Sequence, residues 1–139
     1  MANTVYPAAK AAFLSGAVDL TTATVKVRLT AGYTYNAAHD FLNDVGGNDY
    51  HDSPALAGKT VTGGVFDADD VVLPAVPNAQ DGFGDPIDWD GAVLYVDTGT
   101  PSTSRLIAFL DSATGLPFMG DGSDVTIEWD AGAAKIFAL

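Results

Sequence analysis

The stretch Gly91 to Leu116, GAVLYVDTGTPSTSRLIAFLDSATGL, decides the fold. Two dense apolar runs, Val93 to Val96 and Leu106 to Leu110, flank Asp97, Thr98, Gly99, Thr100, Pro101, Ser102, Thr103 and Ser104. The intervening residues are turn formers that offer no side chain to a core, so the pattern predicts a β-hairpin with a long loop. Apolar side chains fall at odd and even positions of both arms. Both faces of the pair are therefore expected to be covered, which places it in the middle of a sandwich or barrel and not at an edge.

Upstream, Thr22 to Thr30 reads TATVKVRLT, with Val25, Val27 and Leu29 on one face and Thr24, Lys26, Arg28 and Thr30 on the other. This alternation predicts a half-exposed strand whose two cations protect an edge or serve solubility. Pro7 opens and Gly16 closes a short helix in which Tyr6, Ala9 and Phe13 share a face. Asn36 is a candidate N-cap for a second helix, Ala37 to Val45, with Ala38, Phe41, Leu42 and Val45 at helical spacing and Gly46 and Gly47 to end it. Gly47 to Ala57 has no periodicity and is expected to be a surface loop. Lys59 to Thr62 alternates, Gly63 and Gly64 break the run, and Val65 and Phe66 resume it. Val71 to Val76 is a further strand carrying Pro74, which argues for an edge or a bulge there.

Downstream, Gly115, Leu116 and Pro117 turn the chain, and Gly120 to Ser123 turn it again. Val125, Ile127 and Trp129 alternate with Thr126 and Glu128, Gly132 follows, and Ala134 to Leu139 is apolar to its last residue but for Lys135. The simplest arrangement is a closing hairpin of these two runs across Asp130 to Gly132. The whole reading is a single all-β domain over residues 1–139, an antiparallel β-sandwich or flattened barrel with one or two short flanking helices.

Composition narrows function. Six Lys and Arg face 18 Asp and Glu, a formal net charge of -12, so direct binding to nucleic acid is disfavoured. Every acid but Glu128 is aspartate, a residue that favours turns and caps over helices. With no cysteine, disulfides, thiolate metal sites and a cysteine nucleophile are excluded. No apolar run has the length of a bilayer span and the N-terminus lacks the pattern of a signal peptide, so a soluble, unprocessed chain is expected.

Three acidic groups, Asp67/Asp69/Asp70, Asp85/Asp88/Asp90 and Asp121/Asp124, have the flavour of calcium loops. None has the required offsets, and no bidentate Glu follows where one is needed, so they read as solvated turn acids. His39 and His51 are the only histidines, and nothing in their spacing makes a metal site. There is no G-x-S-x-G turn, phosphate loop or dinucleotide fingerprint. No catalytic, metal or cofactor-binding residue is expected, and an enzyme is the last choice. Pro77 to Asp90, PNAQDGFGDPIDWD, is the longest irregular stretch, and a solvated loop has no need of three large apolar residues. Phe83, Ile87 and Trp89, with Tyr33 and Tyr35, are the candidate interface, and at least one of the loop's three is expected under a neighbouring subunit or folded back on its own sheet.

The opening Met1-Ala2-Asn3-Thr4-Val5-Tyr6 and the segments Gly58 to Thr62, Gly64 to Ala68, Asp97 to Thr100, Ser104 to Ala108 and Ala113 to Pro117 carry a resemblance, as does the close from Trp129-Asp130 to Lys135-Ile136-Phe137. Together these resemble a family of small tailed-bacteriophage virion structural proteins, of decoration or cement type, over nearly the whole chain. The sequence departs from that pattern in Gly46 to Ala57 and in Pro77 to Asp90. The resemblance implies a phage origin and hands over no catalytic residue. What it leads to is a capsid decoration protein bound to the outer head surface, with the major capsid protein and copies of itself, as a homotrimer, for partners. Solubility in the host cytoplasm before assembly goes with that expectation. A tail-tube, tail-fibre or baseplate subunit is the alternative, and a host-glycan-binding module the second.

Overall fold

The computed structural model describes residues 4–110, 117–129 and 136–138. In chain order the elements are β1 (Thr4–Val5), α1 (Pro7–Leu14), β2 (Val25–Ala31), β3 (Asp49–Asp52), β4 (Thr60–Thr62), β5 (Val65–Asp67) and β6 (Val71–Leu73). Then come β7 (Ala79–Gln80), β8 (Pro86–Ile87), β9 (Gly91–Val96), β10 (Leu106–Leu110), β11 (Val125–Ile127) and β12 (Phe137–Ala138). The described chain is an all-β assembly of several antiparallel sheets with one short flanking helix.

The two apolar runs pair as β9 and β10, with Phe109 opposite Val93 and Leu110 opposite Ala92. They are the inner strands of a five-stranded sheet ordered β1-β10-β9-β2-β3. Every residue of β10, and all of β9 but Val96, is buried, because the sheet is covered on both faces as the unbroken apolar runs require. Val25, Val27 and Leu29 of β2 sit opposite Val96, Leu94 and Ala92, so three strands contribute one continuous apolar face. The helix α1 begins at Pro7, whose fixed φ suits the first turn, and closes with Gly16 at a φ of 76°. It buries Ala9 and Ala12, and the Tyr6 amide just before it bonds the Ile107 carbonyl at 2.9 Å, tying the helix to the sheet.

Four local expectations are corrected. The first concerns Lys26 and Arg28, which do not guard an edge: β2 has a neighbour on each side. Lys26 pairs with Asp97 at 2.7 Å, while Arg28 grips the carboxylate of its cross-strand partner Asp52 through Nε (2.7 Å) and Nη2 (2.9 Å). The Arg28 guanidinium also covers the Tyr50 ring, 4.0 Å from its centroid. The second correction follows from this. Residues expected to be loop within Gly47 to Ala57 form β3, an edge strand recruited through Asp52 and Tyr50, with no apolar alternation to announce it.

Third, Ala37 to Val45 is not an α-helix. The Asn36 side chain accepts from the Ala38 amide in a turn, and the backbone from Asp40 to Asn43 is drawn onto the long loop of the central hairpin. Leu42 N–H donates to the Ser104 carbonyl at 2.8 Å, Leu106 N–H to the Asp40 carbonyl at 3.0 Å, and only Leu42–Asp44 makes a turn of 3-10 helix. A helix of this length is marginal by itself, so backbone bonds to a neighbouring segment decide the outcome.

The fourth correction concerns the two last strands, which do not pair with each other. β11 pairs with β6 and β12 with β5, in separate sheets. Doubling a loop adds only about 0.6 kcal/mol of closure entropy, so proximity in sequence is easily outweighed by burial. Phe137 finds that burial opposite Phe66, and the C-terminal run is paired and covered as expected. The turns expected at Asp130 to Gly132 and at Gly115 to Leu116 lie outside the described residues.

Candidate functional site

The five candidate interface residues separate into two groups. Tyr33 and Tyr35 lie in an aromatic cluster with Tyr6, His39 and Phe109, built over the Phe109 side of the central sheet. Tyr6 is fully buried and Tyr33 nearly so. Their hydroxyls meet at 2.8 Å, and the Tyr33 hydroxyl is also 2.8 Å from His39 Nδ1. The chain Tyr6–Tyr33–His39 thus satisfies two buried hydroxyls with each other and with a half-buried imidazole, as buried polar groups require.

Burial pushes the Tyr6 phenol well above its ordinary range, and the Tyr33 hydroxyl beside it adds to the shift. Burial also raises Tyr33 and Tyr95. A phenol whose pKa is raised by folding stabilises the native state fully below the unfolded value of about 10, and that contribution is lost as pH climbs above it. Ionisation then adds charge to a chain already at -12. Alkaline titration should therefore show tyrosinate absorbance rising together with loss of native circular dichroism above about pH 10. Ionisation of all five tyrosines at ordinary values with the fold intact would contradict the buried cluster.

Within Pro77 to Asp90 the chain makes a small hairpin, Ala79 opposite Ile87. Phe83 is 92% exposed between its two strands, Ile87 is half-buried against the core, and Trp89 is 0% exposed. Trp89 exchanges backbone bonds with Phe118 at 2.8 and 3.0 Å, and its indole Nε1 donates to the Pro77 carbonyl at 2.9 Å. Gly120 lies on that same Pro77 carbonyl: a Cβ there would be 1.9 Å from the oxygen, so only glycine fits. Trp89 is thus the residue of this loop that folds fully back, with Ile87 partly so, and it closes the core from within.

Several aspartates, among them Asp70, Asp121 and Asp124 of the acidic groups, accept backbone amides. Asp44 accepts the amides of Asp40 and Phe41, Asp81 those of Phe83 and Asp85, Asp121 that of Ser123, and Asp124 that of Ala75. Asp70 accepts from Trp129 N–H at 3.0 Å. At Asp44, Asp81 and Asp121 the one-carbon carboxylate reaches amides two to four residues away, where Glu overshoots. The amides hold Asp44 and Asp121 below the usual carboxylate range, and Lys26 with the Gly99 amide does so for Asp97. Among the described residues no three acidic or histidine side chains converge as a metal site would require, and His51 spends Nε2 on the Pro74 carbonyl at 3.1 Å. No helix among them is long and apolar enough to cross a membrane.

One concavity has the character of a binding site. A groove of about 420 Å³ is lined by Phe13, Val18, Leu20, Val61, Phe66 and Phe137, with Asp19 also facing it. Its floor is a row across three strands, since Phe137 is opposite Phe66 and Phe66 opposite Val61. Phe13 stacks on the end of the row, 6.2 Å from Phe137 between ring centroids. Val61, on the outer strand, is 51% exposed. The groove was not visible in the sequence because its walls are far apart along the chain. The nearest signals were the alternation through Thr60-Val61-Thr62 and the apolar C-terminus.

Comparison with known proteins gives no match to any family model, to any curated protein or to any solved structure.

Proposed function

We propose that this chain is a structural protein of a tailed-phage virion, a decoration or cement subunit carried on the outer surface of the head. The observation that carries this reading is how the polar side chains are used. Asp44, Asp81 and Asp121 cap turns, Lys26 and Arg28 answer Asp97 and Asp52, and each histidine is bonded to a neighbour. Such bonds stiffen a scaffold, and among the described residues no three histidine or acidic side chains gather in one place. The net charge of -12 suits a surface turned away from packaged DNA, and the resemblance to tailed-phage virion proteins points the same way. Internal commitment of Tyr33 and Trp89 removes two of the aromatics that a glycan platform would use.

In this reading the subunit binds the major capsid protein and its own copies as a homotrimer, so that modest contacts gain strength from repetition over the lattice. The purified chain should co-sediment with expanded heads that lack it and should raise the temperature at which they release DNA. Association with isolated tails and none with heads would transfer the assignment to a tail component. Binding to neither would contradict a virion role.

A further inference from the structure

We propose that β4 and the groove beside it accept an extended segment of a basic partner protein as an added strand, with a large apolar side chain of that segment lodged next to Val61. The inference goes beyond the proposed place in a virion and is tested separately from it. β4 is the outer strand of the sheet β12-β5-β4, and among the described residues nothing pairs with its far side. All three of its residues are exposed. Gly63 and Gly64 take φ values of 60° and 80°, the two-residue hairpin turn that needs glycine at both positions.

That turn fixes the hydrogen-bond phase. Thr62 and Val65, flanking it, form the bonded pair, so Val61 opposite Phe66 is the non-bonded one, with its amide and carbonyl directed away from β5. An added antiparallel strand would exchange both bonds with Val61 through one residue, which would share Val61's face. That face is the row Phe137, Phe66, Val61, so the newcomer's side chain would enter the groove. Main-chain bonds supply affinity and the alternate side-chain pocket supplies selection, as in other cases of strand addition.

The chemistry of the occupant follows from size and charge. The 420 Å³ groove calls for an aromatic or long aliphatic side chain; the valine offered by a second copy would fill little of it. Two copies at -12 also repel, whereas a lysine two residues from the apolar one lies on the same face and can join Lys59 near the exposed Asp19.

The probe is the capped peptide Thr-Lys-Thr-Phe-Thr-Lys-Thr, titrated into the isotope-labelled full chain and followed by amide chemical shifts. Saturable shifts at Val61, Gly64 and Phe66, weakening with added salt, are expected. N-methylation of the peptide's central residue, or its replacement by Asp, should weaken binding about tenfold or more. Val61→Pro should do the same while leaving the melting temperature near that of the parent, because the lost donor faces outward; Val61→Lys serves if the proline variant fails to fold. No saturable shift, or equal binding of the N-methylated peptide, overturns the proposal. So does a dimer that Val61→Pro converts to monomer, which would assign the edge to a second copy.

Discussion

Trp89→Ala lowers the unfolding free energy by about 3–5 kcal/mol, a large share of the 5–15 kcal/mol typical of a domain. The indole is wholly buried and its Nε1 holds the Pro77 carbonyl, so truncation opens a cavity and strips a bond at once. The neighbouring Phe83→Ala, on a side chain left in solvent, shifts stability by no more than about 0.5 kcal/mol. Urea unfolding of the two variants makes the comparison. Equal midpoints would remove Trp89 from the core, and its role would have to be sought between subunits.

Deleting residues 136–139 has an effect of similar size by another route. Ile136 and Phe137 are almost fully buried, and their loss forfeits about 3–6 kcal/mol of apolar burial. It also uncovers Phe66, whose ring is 5.4 Å from that of Phe137, and turns β5 into a second open edge. The truncated chain should be insoluble or partly unfolded. Phe137→Ala is the milder version, costing about 3–5 kcal/mol by the cavity it leaves. A truncated chain that melts with the full one would mean that the C-terminus is not part of the core.

These two effects differ in how far they were legible in the sequence. The central hairpin was plain because apolar residues crowd both parities of β9 and β10, and few structures other than a doubly covered strand pair explain that. The Gly63-Gly64 turn was equally local. Three large apolar residues in Pro77 to Asp90 announced that at least one is covered, by a neighbouring subunit or by its own sheet, and the structure buries Trp89 internally, bridged to Phe118. The strand β3 gave no signal, because an edge strand of Asp, Tyr, His and Asp draws its pairing from Arg28, distant in the chain. The partner of the C-terminal run was misread for a related reason. Chain proximity favours Val125 to Trp129, but the apolar surface that accepts Phe137 is on β5 and α1. The groove is the extreme case, existing only once registers align Val61, Phe66 and Phe137.

We propose that the fold serves as a capsid-building part whose surface is offered to a shell. Electron cryomicroscopy of virions assembled with the chain tests this most directly. The account predicts density on the outside of the head, in threefold-related copies, into which the five-stranded sheet with its flanking helix fits. Density for this fold confined to the tail, or its absence from the particle, would contradict it.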